Sequence, residues 1–199
     1  MRSPPHLAFF QTTLCRWNET VIPRYLALFG SINVGGNRLM MADLRAAFEA
    51  EGFANVETVV SSGNVLFDHP ERPDEGLEEK LGLMMRERFG MTSVALVRSR
   101  NALATAIAEN PFAADGEENF VHTLFLDADV DPAAFARLDA DRRGPERIAL
   151  GDRALHIDYA AGVAESRLVG AFIERRLGAK GTARNLRSMK RILAKMDES

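Results

Sequence analysis

Cysteine is nearly missing from this chain. Cys15 is the only one in 199 residues, which excludes an internal disulfide and a cysteine-cluster metal site and fits a reducing, cytoplasmic compartment. Long apolar runs are missing too. The longest are a handful of residues, far below the ~20 that span a bilayer, so no transmembrane segment is expected. Glycine and proline, at 15 and 8 residues, are too few for a collagen-like or low-complexity chain. Also absent are the dinucleotide fingerprint, the P-loop, the nucleophile-elbow pattern G-x-S-x-G and the RNA-recognition signature of a basic residue followed by alternating Gly and aromatics. His6, His69, His122 and His156 form no metal-ligand spacing. No metal and no cofactor is expected, and nothing in the sequence names an enzyme.

What is present is an ordinary globular composition, 46% apolar and 27% charged, long enough for one large domain or two small ones. The net charge of −3 conceals an asymmetry. From Ser166 to Ser199 nine Lys and Arg stand against three Asp and Glu, whereas from Glu109 to Asp141 nine acidic residues stand against Arg137 alone. Such a basic tail meets an external anion, a nucleic acid, or the acidic segment of its own chain or of a second copy.

Residues 1–24 carry no period and read as a loosely ordered extension. Val21 is a conceivable alternative start, and the segment fails the test for a secretory signal. From Tyr25 the pattern is regular. Tyr25–Ser31 reads as a buried strand, Met41–Glu51 as a helix, and Val56–Ser61 and Val65–Asp68 as strands around the turn Ser62-Gly63-Asn64. Asp74–Phe89 reads as a helix with Leu77, Leu81, Met84, Met85 and Phe89 on one stripe, and Thr92–Arg98 as a strand. The order is β-α-β-β-α-β, the ferredoxin-like split motif.

After the connecting helix Asn101–Glu109, stopped by Pro111, the order starts again. Phe120–Asp127 is a strand, Pro132–Asp139 a helix, Ile148–Leu150 and Ala154–Tyr159 strands, and Ser166–Leu177 a helix ended at Gly178. A final basic helix, Asn185–Met196, takes the place of the expected last strand. The expectation is an α+β fold of two ferredoxin-like subdomains in tandem, 25–98 and 119–199, joined by 99–118, with the second ending in a helix. His122 and His156 fall on its two central strands, where they could share a surface.

Three polar turns come from distant parts of a chain that otherwise reads as packing. The loop carrying Asn33, Gly35, Gly36 and Arg38 lies between a strand and a helix, where glycines free backbone N–H groups for an anion. Ser62 and Asn64 sit on the hairpin turn. Arg184 offers a planar fork suited to carboxylate or phosphate, and Thr182 or Asn185 can cap the last helix. Each also has a plain structural reading, as turn, ion pair or cap. If the turns converge, Asn33, Gly35, Gly36, Arg38, Ser62, Asn64, Arg184 and Asn185 line a pocket for a small anionic ligand. The alternative is an interaction module whose basic C-terminal helix contacts nucleic acid or an acidic protein. A membrane is not expected as a partner, and the chain is expected as a monomer or homodimer.

Tyr25-Leu-Ala-Leu-Phe-Gly-Ser-Ile-Asn-Val-Gly-Gly, Met41-Ala-Asp-Leu, Gly52-Phe53, Asn55-Val56 and Ser61-Ser-Gly-Asn-Val resemble the family called domain of unknown function 1697. The resemblance continues through Val97-Arg98, Asn110-Pro111-Phe112, Phe172–Gly178 and Thr182-Ala-Arg184-Asn185, roughly from Arg24 to Met196. It implies a bacterial cytosolic protein of two ferredoxin-like subdomains and no established activity. One departure stands out. Phe29-Gly30-Ser31-Ile32 occupies the place where the family has Leu-Arg-Gly-Ile, and Arg38 stands where a Lys is often found.

Overall fold

The computed structural model of the chain describes residues 22–32, 39–60, 63–70 and 75–198. Its first half runs β1 (Arg24–Phe29), α1 (Met41–Ala50), β2 (Ala54–Thr58), β3 (Asn64–Asp68), α2 (Glu75–Phe89) and β4 (Ala95–Ser99). Helix α3 (Arg100–Ala108) leads to β5 (Val121–Leu126), α4 (Pro132–Asp141), β6 (Arg147–Gly151), β7 (Ala154–Asp158), α5 (Gly170–Leu177), β8 (Gly181–Asn185) and α6 (Leu186–Asp197). The two sheets have orders β2-β3-β1-β4 and β6-β7-β5-β8 with antiparallel neighbours, so the second unit repeats the topology of the first. Both are ferredoxin-like, as the element order predicts.

Alternation along the strands divides each sheet between two cores. Tyr25, Ala27 and Phe29 of β1 pack with Leu44 and Phe48 of α1 and with Leu81 and Met85 of α2. In the second unit Leu124, Leu126, Leu155 and Ile157 pack with Leu138 of α4 and with Ile173 and Leu177 of α5. The opposite faces look inward. Leu26, Leu28, Leu66 and Leu96 of the first sheet join Phe125 of the second in one core with Leu103 of α3 and Met189, Ile192 and Met196 of α6. Helix α3 rests on β1 and β4, α6 rests on β5 and β8, and the two helices pack on each other. This middle layer unites the units.

Three expectations need correction. The last helix does not replace a strand: Gly181–Asn185 forms β8, paired with β5, and α6 follows it directly. Its inward residues are Thr182 and Arg184, so the strand lacks the apolar alternation that marks its neighbours. Helix α5 starts at Gly170 rather than Ser166, because the Ser166 hydroxyl accepts from Leu168 N at 2.9 Å and holds that stretch extended. His122 and His156 lie on opposite faces, since His122 registers with Ile157 and His156 with Thr123. Strand β1 also opens one residue early, at Arg24.

Part of the basic tail turns to its own chain. Lys190 Nζ lies 2.5 Å from Glu118, Lys195 Nζ 3.2 Å from Glu57, and Arg100 pairs with Asp197. Glu118 belongs to the acidic stretch, so the two biased segments meet within the molecule. Asn185 caps α6, its Oδ1 accepting from Ser188 N at 2.9 Å. Asn185→Ala should cost about 1 kcal/mol. Chemical denaturation of the two proteins measures it.

Candidate functional site

Of the residues expected to form an anion pocket, Asn33, Gly35, Gly36, Arg38 and Ser62 lie outside the described residues. Asn64 and Arg184 are brought together; Asn185 is spent on its cap. Arg184 reaches from β8 across to the first sheet. Its Nε donates to Asn64 Oδ1. Nη1 donates to Thr182 Oγ1 and to the Ala183 carbonyl, both at 2.8 Å. Nη2 donates to the carbonyls of Phe29 at 2.9 Å and Gly63 at 3.3 Å.

A guanidinium has five N–H donors, and these bonds engage five acceptors. Asn64, fully buried, donates in turn to the Val59 carbonyl at 2.9 Å. Gly63, at φ +72°, turns the hairpin tightly against Ile32. Burial lowers the Arg184 pKa to about 10, which leaves it charged at neutral pH. The end of β1, the Gly63-Asn64 turn and β8 thus meet in a clasp between the units, in which Arg184 bonds to backbone carbonyls, a hydroxyl and an amide oxygen of the protein itself.

A different arginine faces open space. A cleft of about 300 Å³ lies between the units, walled by β4 and α3 on one side and by β5 and the β6–β7 turn on the other. Arg98 lines it although β4 otherwise buries apolar residues at that phase. Its Nη1 donates to Glu78 Oε1 at 3.0 Å and to the Val97 carbonyl, and its Nη2 to the Leu126 carbonyl. Those bonds use three of five donors. Arg153 stands beside it on the β6–β7 turn, donating to Glu78 Oε2 and to the Asp127 carbonyl. Burial lowers the Arg98 pKa from its ordinary value and the Arg153 charge adds to the effect, while Glu78 opposes it. Arg153 also holds φ +43°, a left-handed backbone that an arginine adopts at a cost.

The rest of the lining is mixed. Phe125 offers its ring, with the Arg98 guanidinium 5.8 Å from its centroid. Asn101, Thr105 and Glu109 line the α3 side, and His156 the floor. Thr123 Oγ1 lies 3.0 Å from His156 Nδ1 and accepts from Asn110 Nδ2 at 3.5 Å.

Desolvation holds the His156 pKa down to about 4. The unfolded chain therefore binds more protons than the folded one between pH 6.5 and 4, and stability is fully present above that window and falls on acidification through it. The expected loss from His156 alone is about 2–3 kcal/mol. Urea denaturation at pH 7 and pH 4.5 measures the slope, and His156→Gln should flatten it. His122 has a pKa lowered chiefly by desolvation and contributes in the same sense, so its share stays in the variant. Its Nδ1 donates to the Phe120 carbonyl at 3.0 Å and its ring meets Tyr159 edge-on.

Among the described residues no group of three His, Cys, Asp or Glu side chains is placed to hold a metal ion. None of their helices is long and apolar enough to cross a membrane. The hydroxyl of Ser99, at the cleft, accepts from Ala102 N as the cap of α3.

Residues 22–156, more than half of the chain and including Arg98, Asn110, Arg153 and His156, match the family model described as "Protein of unknown function (DUF1697)". The chain belongs to this family. The DUF1697 fold has a counterpart in a conserved bacterial protein, SP0830 from Streptococcus pneumoniae. That structure superposes with a TM-score of 0.68 at 20% identity, over 88% of this chain and 99% of the other. At that identity the likeness extends to the fold. Among curated proteins no match is found.

Arg98, Arg153 and His156 do not stand out in the sequence as a group. One signal marks them: Arg98 breaks the apolar run Ala95-Leu96-Val97 at a phase facing inward.

Proposed function

We propose that this DUF1697 protein binds a small molecule carrying a carboxylate or phosphate, and that the ligand lies in the cleft between its two units. One observation carries the reading. Arg98 is almost fully buried, lines the cleft, and has donors beyond the three that its protein bonds use. A buried cation with donors to spare at the wall of a cavity suits an anionic group, because charge-assisted hydrogen bonds are stronger away from bulk water. Arg153 supplies a second guanidinium, the half-buried Ala102 and Ala106 give the ligand's body an apolar surface, and the junction of two units is a common place for such a site. Arg184 then acts in architecture, holding the units at the angle that shapes the cleft.

The interaction-module reading draws less support, since Lys190 and Lys195 of the basic helix pair with acidic residues of their own chain.

The test is a thermal-shift panel of carboxylates, phosphates, sugar phosphates and nucleotides on the wild type and Arg153→Ala. A ligand at ~100 times its Kd stabilises by roughly 2.7 kcal/mol, a shift of about 5–11 °C for a protein of this size. Arg153→Ala should fold and weaken that ligand about tenfold or more. Shifts of equal size in both proteins, or no shift from any anion, would contradict the proposal.

A further inference from the structure

A second group of arginines lies on the far side of the second unit, away from the cleft. We infer that Arg143 and Arg167 form a separate binding site for a compact organic anion, one phosphate or carboxylate on an apolar or aromatic body.

The arginines here sort by their bonds. Arg142 donates to Asp139 and to the Glu146 carbonyl, and Arg176 pairs with Asp141 at 2.8 Å. Both are committed. Arg143 and Arg167 are exposed, and among the described residues neither has an ion pair or a side-chain hydrogen bond. They line a pocket of about 210 Å³ whose apolar floor is Leu168 and Phe172. The Arg175 and Arg176 guanidinium groups lie 5.9 and 5.5 Å from the Phe172 ring centroid, which adds positive potential around the floor. Asp141 is the one acidic residue of the lining, and it is engaged by Arg176. A hydrophobic floor with two unspent guanidinium groups at its rim is complementary to an anion with an apolar body. It is poorly matched to a bare anion or a neutral ring.

The segments that carry the two arginines are held in place by one carboxylate. Glu146 is only 3% exposed. Its Oε1 accepts from the Ser166 hydroxyl, which itself accepts from Leu168 N and so fixes the backbone on both sides of Arg167. Its Oε2 is buried without a hydrogen-bond partner among the described residues, and a side chain at Gly144, at φ +153°, would collide with it. Its carbonyl accepts from Arg142. Arg143 and Arg167 therefore project from two segments tied to a single post, and the long side chains are the only part left to order on binding. Preorganisation of this kind lowers the cost of association.

Phenyl phosphate is the probe, with phenol and inorganic phosphate as its two halves. Backbone amide shifts and calorimetry on the full chain follow the titration. The expected shifts fall at residues 141–143 and 167–172, and each half should bind at least tenfold more weakly than the whole. The double variant Arg143→Ala/Arg167→Ala should keep the wild-type melting temperature and lose at least tenfold in affinity. Arg153→Ala should bind phenyl phosphate here as the wild type does, which separates this site from the cleft. Three results would overturn the inference: no binding at millimolar probe, shifts in the cleft instead, or a double variant that binds unchanged. Inorganic phosphate binding as tightly as phenyl phosphate would overturn it as well, since the apolar floor would then contribute nothing.

Discussion

Replacing Arg184 by alanine should lower the stability of the protein by about 3–5 kcal/mol, equivalent to a fall in Tm of roughly 10 °C. The guanidinium satisfies the carbonyls of Phe29, Gly63 and Ala183, the Thr182 hydroxyl and the Asn64 amide oxygen. Removing it leaves several buried acceptors without that donor at once. Hydrogen bonds from charged donors contribute about 1.5–3 kcal/mol each, and unsatisfied acceptors cost a further 1–3. The sum is reduced because the native state also bears the desolvation of a buried cation. Arg184→Lys keeps the charge but has three donors on one nitrogen, which cannot span acceptors on both units. It should recover less than half of the loss. Urea denaturation of the three proteins decides the matter, and a loss below 1 kcal/mol in Arg184→Ala would contradict the role as a clasp.

Phe125→Ala is the second large effect, with an expected loss of about 3–5 kcal/mol from the removed ring and the cavity left behind. Phe125 is 1% exposed and packs in the middle layer with leucines of the first sheet and with residues of α3 and α6. Because that layer draws on both units, the loss should be shared by the whole molecule rather than by the second unit alone. Two side chains report it separately: Tyr25 lies in the core of the first unit and Tyr159 in that of the second. Their ring resonances should disappear at one common urea concentration in the wild type, and at one lower common concentration in Phe125→Ala. A drop in the Tyr159 midpoint with the Tyr25 midpoint unmoved would show two independently folding units and contradict this packing.

The parts of the fold with a clean period were legible in the sequence. The stripe Leu77, Leu81, Met84 and Met85 is buried on α2, and Leu44, Ala47 and Phe48 on α1, because a helix covering one face of a sheet must repeat its apolar residues every three to four positions. Strand β8 was not legible. Its inward positions are Thr182 and Arg184, so hydrophobic alternation is replaced by a polar one that reads as loop. The same substitution of an arginine for an apolar residue hid the cleft, since Arg98 looks like the end of a strand until the second unit closes over it. Asn64 and Arg184 could be picked out as polar residues in turn-like settings, but which of their donors meet the protein depends on the carbonyls of Phe29 and Gly63, and no side-chain pattern records those. Nor could the sequence place His122 and His156 relative to each other, because strand register decides their faces.

The proposed ligand site is the cleft beside Arg98 rather than the clasp at Arg184. The most direct measurement is a map of backbone amide shifts on adding the anion that gives the largest thermal stabilisation. Perturbations are expected in both units together, along Val97–Glu109 and at Phe125 and Asp152–His156, with Phe29–Ile32, Gly63–Asn64 and Thr182–Arg184 little changed. Perturbations centred on that second set, or confined to a single unit, would contradict it.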